Sequence, residues 1–281
     1  MITRLARPSR DSARFGWKGA RTQLTLVAVV LALFAGSWLT PRDPFKQDLS
    51  SALLPPSSHN LFGTDQLGRD VLSRVLYGAR VSLGASFVAI VLAGGIGVVL
   101  GFVSGFVGGV LDNVTMRLLD AMMAFPGLLL ALCAVVILGP GLLTAPIAVG
   151  ITQIPIIARL ARATILSEKT KLYVESGVAL GCSSWRLLVK HLAPNSLMPI
   201  VVQLSLMVAD TVLAIAGLGF LGLGAQPPTP EWGVMLSESR LYLWQAPHLA
   251  LFPGLAVCAL ALAFNVLGDS LRKTMDVRAD G

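Results

Sequence analysis

Charge is scarce in this sequence. Asp, Glu, Lys and Arg make up 13% of its 281 residues, about half of what a soluble domain carries. Hydrophobic residues make up 54%, and mean hydropathy is +0.74. An ordinary soluble domain is excluded, and the balance points to a polytopic membrane protein. Cysteine is rare: Cys133, Cys182 and Cys258 lie far apart without metal-ligand spacing, and two sit in apolar runs, which reads as packing. The three histidines, His59, His191 and His248, are scattered. No Gly-x4-Gly-Lys-Ser/Thr, His-Glu-x-x-His or Gly-x-Ser-x-Gly occurs. Without a loop to cradle phosphates, any coupling to ATP needs a partner, and no metal or cofactor is expected on this chain. An intramembrane enzyme would need paired carboxylates, or a nucleophile and a base, within the spans; Asp210 alone does not make one.

What is present is a series of apolar runs. The length suits one bundle of about six spans of roughly 20 residues. Residues 1–22 carry Arg4, Arg7, Arg10, Arg14, Lys18 and Arg21 against Asp11 alone, and an apolar run occupies residues 24–39. A signal peptide has this form, but no clean small-x-small cleavage site comes after it, which favours a basic tail at 1–22 and a retained first span at 23–40. Residues 41–80 hold Pro41, Pro44, Pro55 and Pro56 with nearly balanced charge, and read as an external loop. Leu67, Val71, Leu72, Val75 and Leu76 recur there at helical spacing, and Gly63-Thr64-Asp65 reads as a turn with a helix cap.

Residues 81–270 read as a five-helix core, with spans near 81–107, 118–138, 142–160, 198–224 and 248–267, and 271–281 as a tail. In the second span Gly97, Gly101, Gly105 and Gly109 repeat every four residues, a smooth stripe for close helix approach. Residues 112–117 read as a turn. Pro126 can kink the third span, and Pro146 with Pro155 suggests a bend in the fourth. Asp210 lies in the fifth, where an ionisable residue is a functional candidate by default, either on a pathway or as a buried partner for a hydroxyl or backbone group. Gly217, Gly219 and Gly222 match a dinucleotide fingerprint, but no strand precedes them and prolines come next, so close packing or an unwound helix end is the better reading. Trp232, Tyr242 and Trp244 suit an interface belt.

Between the fourth and fifth spans lies a basic interruption within residues 161–197. Lys169, Lys171, Arg186 and Lys190 fall in it or just before it, and Leu172, Val178, Trp185, Leu188 and Leu192 recur at helical spacing. Gly181 divides it, and Ser183 or Ser184 can cap the second half. This reads as helix, turn, helix at the membrane surface, with an ordinary connecting loop as the alternative. With six spans and both ends inside, sixteen Lys and Arg fall on the cytoplasmic side and six outside, so the basic bias places this loop and both termini in the cytoplasm. The net charge of +7 therefore suits a membrane surface. The basic residues are dispersed among the spans, so no nucleic-acid partner is expected.

Glu175, Gly181 six residues later and Pro194 thirteen after that resemble the "EAA" loop of ABC importer permeases. That loop runs Glu-Ala-Ala, three residues, Gly, nine residues, Ile-x-Leu-Pro. Here Ser176 and Gly177 replace the alanines, and His191 and Ala193 stand at the Ile and Leu positions; His191 and Asn195 fit the peptide-permease branch. Three further strings resemble the smaller membrane subunit of that branch. They are Asn60 to Leu83, Met116 to Pro126, and the run FLGLGAQPPTPEWG that ends at Gly233. Phe264 to Arg278 has the form of its C-terminus.

The resemblance implies an all-α type I permease that forms half of a translocation pathway in the bacterial inner membrane. Its partners would be a second, similar permease, two subunits that bind ATP and Mg, and an extracytoplasmic binding protein. It implies di- or oligopeptides as cargo, with nickel chelates or glutathione behind. It also implies a coupling role for Glu175, Ser176, Gly177, Gly181, Trp185, Arg186, His191 and Pro194. The family often places a Glu where this chain has Ile215, so no family role passes to Asp210. A secondary transporter also suits proline-broken spans and a buried acid, but should show inverted repeats, and none is seen.

Overall fold

The computed structural model describes Ala35 and residues 40–279; the basic tail at 1–22 and nearly all of the expected first span lie outside the described residues. The described residues fold as helices joined by short turns, with no β-strand among them beyond an isolated bridge between Thr64 and Asp70.

The first long helix, α1, is Val71–Val107. At 1.5 Å per residue its 37 residues extend about 55 Å, well beyond a hydrocarbon core of about 30 Å. It therefore merges two expected elements: the amphipathic segment of 41–80 and the second span are one helix, and it crosses the proposed boundary at 80/81 unbroken. Its cap is Asp70, which accepts from the Ser73 amide at 2.8 Å, and not the Gly63-Thr64-Asp65 turn. That turn has its own task. Asp65 accepts from the amides of Leu67 and Arg69, both at 2.9 Å, and so folds the chain into the start of α1.

Helix α2 is Gly109–Met123 and α3 is Gly127–Leu138. The expected turn at 112–117 is thus helical. The bend lies at 124–126, where the two axes meet at 92°. Pro126 explains it: the ring disfavours helical backbone in the residue before it and removes one amide donor.

Helix α4 is Thr144–Lys169. It runs without interruption through Pro155, and Pro146 falls in its first turn, where its lack of an amide costs nothing. After the short helices α5 (Leu172–Ala179) and α6 (Ser184–Leu187), a π-helical turn over Leu188–Leu192 leads directly into α7, Ala193–Phe220. The short helix α8 is Trp232–Ser239, and α9 is His248–Ala279, so the proposed tail beyond 270 continues the last helix.

Among the described residues four stretches are long and apolar enough to cross a membrane: α1, α4, α6 through α7, and α9. The bent pair α2–α3 makes a fifth if it is one span. Helix α1 packs most extensively on α4, and α7 lies against α1, α4, α8 and α9. The glycine stripe explains the first contact. A β-carbon on Gly97 would come within 2.8 Å of the Ile157 side chain, and one on Gly105 within 3.1 Å of the Arg162 carbonyl; on Gly101 it would strike the backbone of Ala158. Gly109 does not join them. It comes after Gly108 at a helix break where both have positive φ, and nothing lies near it.

The segment 225–247 is not a plain external loop. Trp232 is fully buried and donates from its indole to the Val75 carbonyl at 2.9 Å, so it anchors the core between α1, α7 and α9. Tyr242 packs against that core, while Trp244 is fully exposed. Gly233 sits where a β-carbon would meet the Ala216 backbone, so α8 and α7 touch main chain to main chain. Of the three glycines that mimic a nucleotide fingerprint, Gly219 closes on Gly233 and Glu231 in the same way, Gly222 has φ +80° just past the end of α7, and at Gly217 an added β-carbon would meet nothing within 4 Å.

Candidate coupling site

The interruption between α4 and α7 forms a compact helical knuckle. Helix α5 ends in a Schellman motif: the Cys182 amide donates to the Gly177 carbonyl and the Gly181 amide to Val178, both at 3.0 Å. Gly181 has φ +76°. This is left-handed backbone, which a side chain resists. Ser183 occupies the cap position of α6, although its hydroxyl makes no cap bond.

The inner face of the knuckle is apolar. Val174, Leu187, Leu188 and Leu192 are buried with Ile165 of α4, Ile200 of α7 and Phe102 of α1. Leu188 thus faces the chain's own core and is not available to fill a partner's groove. Its outer face is also apolar. Leu180 is 88% exposed, Leu172 80%, Trp185 72% and Val178 60%. Around them lie Glu175, Ser176, Arg186, Lys190 and His191, all exposed. Gly177 sits beneath α6, where a β-carbon built on it would lie 3.3 Å from the Leu187 side chain. Pro194 opens the first turn of α7. The structure thus places Glu175, Ser176, Trp185, Arg186 and His191 on the outer surface, Gly177 within α5, Gly181 in the turn after it, and Pro194 at the root of α7.

The knuckle is fastened to both of its neighbours by polar bonds that sequence reasoning missed. Glu168, at the end of α4, accepts from Lys171 at 2.5 Å and from the Tyr173 hydroxyl at 2.7 Å. Asn195, at the start of α7, donates to that hydroxyl at 3.2 Å. Tyr173 thereby links α4, α5 and α7. The hydrogen bond to Glu168 pushes the Lys171 ammonium above its ordinary value, so it stays charged throughout the physiological range. Lys169 adds a bond to the Phe106 carbonyl at 3.0 Å. Nearby, Arg162 grips both carboxylate oxygens of Asp112 at 2.6 Å, and Arg159 pairs with Asp120. Both pairs bind α4 to α2. A groove of about 820 Å³ runs beside the knuckle, between Phe106, Lys169, Glu175 and Leu187.

Away from the knuckle, two polar clusters hold the opposite end of the bundle. Arg69 and Arg74 are buried between Asp65 and Glu238, with contacts from 2.6 to 3.4 Å. Glu231 is 1% exposed and accepts from Ser82 at 3.1 Å and the Val234 amide at 3.0 Å. Burial pushes its carboxyl above the ordinary range, against these donors, which pull it down. Asp210, in α7, is exposed on the surface of this chain and has no hydrogen bond or ion pair among the described residues. The buried-partner alternative for it is therefore not realised among the described residues. Among the described residues no cluster of His, Cys, Asp and Glu is placed to hold a metal.

Comparison with known proteins matches residues 97–280 to the family described as "Binding-protein-dependent transport system inner membrane component". The chain is 42% identical to the dipeptide transport system permease protein DppC of Haemophilus influenzae, covering 92% of this chain and 90% of that one. It is 39% identical to the probable D,D-dipeptide transport system permease protein DdpC of Escherichia coli K12, over 99% and 97%. It is also 42% identical to a glutathione transport system permease protein, GsiD, of Escherichia coli, over 91% and 84%. In three dimensions it is similar to a chain of the inward-facing methionine ABC transporter MetNI, with a TM-score of 0.58 at 20% identity, over 71% of this chain and 95% of that one. This protein belongs to the binding-protein-dependent transport system inner membrane components, the permease family of ABC importers that its central loop resembles.

Proposed function

We propose that this chain is one half of the translocation pathway of an ATP-driven peptide importer, and that the knuckle over 172–192 is the surface through which separate ATP-hydrolysing subunits drive it. One observation carries the reading: Trp185, Leu180, Leu172 and Val178 stand exposed on an element whose base is packed and hydrogen-bonded into α4 and α7. Exposed apolar residues ringed by charge are the usual form of a protein contact, and a rigid base is what a lever requires. Glu175, Arg186 and Lys190 set register on the partner by charge. Gly181 keeps the turn that presents both short helices together.

The complete importer pairs this chain with a second, similar permease. Two subunits carrying ATP and Mg lie on the cytoplasmic side, and an extracytoplasmic binding protein lies on the other. The distribution of Lys and Arg supports the orientation, with both termini and the knuckle in the cytoplasm. Di- or oligopeptides are the cargo favoured by the names of the relatives, which are dipeptide and glutathione permeases.

A photoreactive amino acid in place of Trp185, in the assembled importer, tests the contact. The expected product on illumination is a cross-link to the ATP-hydrolysing subunit. Cross-links to lipid or to the second permease alone would refute it.

A further inference from the structure

Helix α7 is apolar along most of its length, yet one stripe of it is not. Gln203, Asp210 and Gly217 are spaced by seven residues, two helical turns, and so share a face. Asp210 is exposed on this face and Gln203 is half-buried, and neither side chain has a hydrogen-bond partner among the described residues. The flanks of this stripe and the face behind it behave differently. Ala209, Thr211 and Val212 are buried, and the Thr211 hydroxyl is satisfied by Gln153 of α4 at 2.9 Å and by the Met207 carbonyl at 2.6 Å. Of the buried hydroxyls of α7, that of Thr211 is thus paired and that of Ser196 is not, while the one carboxylate of the helix is exposed and has no partner among the described residues.

Depth makes this significant. Asp210 lies ten residues before the end of α7 at Phe220. At 1.5 Å per residue that is about 15 Å, half of a hydrocarbon core of about 30 Å. An unpaired carboxylate at the midplane does not face lipid tails; such groups line water or meet a cation. Among the described residues it is neither buried nor paired with a cation.

We propose that the Gln203–Asp210–Gly217 face of α7 lines the aqueous pathway, and that the Asp210 carboxylate is a station for a primary ammonium group of the cargo. This rests on the peptide-importer reading above. A peptide amino terminus, with an ordinary pKa of about 7.7–8.0, carries that charge at neutral pH, and Gln203 offers one donor and one acceptor side to the amides beside it.

The test uses the complete importer in proteoliposomes, with Cys133, Cys182 and Cys258 replaced by serine. Cysteine is then introduced singly as Gln203→Cys or Asp210→Cys, and a water-soluble, membrane-impermeant sulfonated thiosulfonate is the probe. Both are expected to be labelled, and labelling of Asp210→Cys is expected to slow when a dipeptide is trapped during turnover. In parallel, Asp210→Asn is expected to lower dipeptide uptake at least about fivefold while binding-protein-stimulated ATPase persists, and Asp210→Glu to restore much of it. No labelling of Asp210→Cys in any nucleotide state, or its protection only by a cross-link to the second permease, overturns the pathway assignment. Normal uptake by Asp210→Asn overturns the station. Labelling in an importer whose parent takes up no peptide upholds the water-lined face and refutes the peptide reading instead.

Discussion

The Tyr173 hydroxyl donates to Glu168 at 2.7 Å, across the turn that separates α4 from α5, and accepts from Asn195 at the start of α7. One phenol thereby ties the knuckle to the two helices that frame it. A hydrogen bond to a charged group contributes about 1.5–3 kcal/mol, less where solvent reaches it, and Tyr173 is 38% exposed. Tyr173→Phe is expected to cost only about 1 kcal/mol in stability. Its larger effect should be on transmission: the complex should assemble, bind ATP and hydrolyse it, yet take up less cargo per ATP. The ratio of uptake to hydrolysis in proteoliposomes is the measurement, and an unchanged ratio would remove Tyr173 from the lever.

Two glycines of α1 should respond oppositely to the same change. Around Gly95 nothing lies within 4 Å of an added β-carbon, whereas at Gly101 it would meet the Ala161 β-carbon at 2.6 Å and the Arg162 amide nitrogen at 2.9 Å. Gly95→Ala gains helix propensity and is expected to be neutral or to stabilise by up to about 1 kcal/mol. Gly101→Ala must push α4 away and is expected to cost about 1–3 kcal/mol. Thermal unfolding in detergent distinguishes them, and equal melting temperatures would contradict the close α1–α4 contact.

Glu231 gives a prediction in pH. Burial raises its folded-state pKa above the ordinary 4.5, so the folded chain holds this proton more tightly than the unfolded chain. Its contribution to stability is present in full below about 4.5 and is lost as pH rises through the raised folded value. Glu231→Gln cannot ionise. The melting temperature of the parent should therefore fall more steeply than that of the variant as pH rises above 4.5. Parallel curves would show that Glu231 stays ionised when buried.

Much of this architecture was legible because it rests on local periodicity. The knuckle's division at Gly181 is visible as a single glycine between two apolar repeats, and its positive φ accords with the tight turn required there. The stripe of Gly97, Gly101 and Gly105 is visible as a four-residue repeat. Gly109 continues that repeat yet stands outside the contact, because Gly108 beside it breaks the helix, and a repeat cannot register a break. Periodicity also marks Leu188 and Trp185 alike as apolar, without saying that one faces the core and the other a partner. Arg162 and Asp112 are fifty residues apart, and nothing in either neighbourhood announces their pairing. Trp232 reads as an interface aromatic because it falls with Tyr242 and Trp244 between two apolar runs; only the fold of α8 back onto α1 and α7 makes it core.

The central claim is that the knuckle transmits ATP hydrolysis to the bundle. Gly181 has no neighbour within 4 Å of an added β-carbon, so a substitution there acts mainly through backbone strain of about 1–2 kcal/mol and leaves the core packing alone. Glu175 is exposed and unburdened by packing in the same way. Gly181→Asp and Glu175→Lys should each insert and recruit the second permease normally. The decisive measurement is ATPase stimulation by loaded binding protein, taken together with cargo uptake, in the reconstituted importer. The account predicts that both activities fall at least about tenfold in both variants; assembled variants with parental stimulation and uptake would show that the knuckle is only a connector.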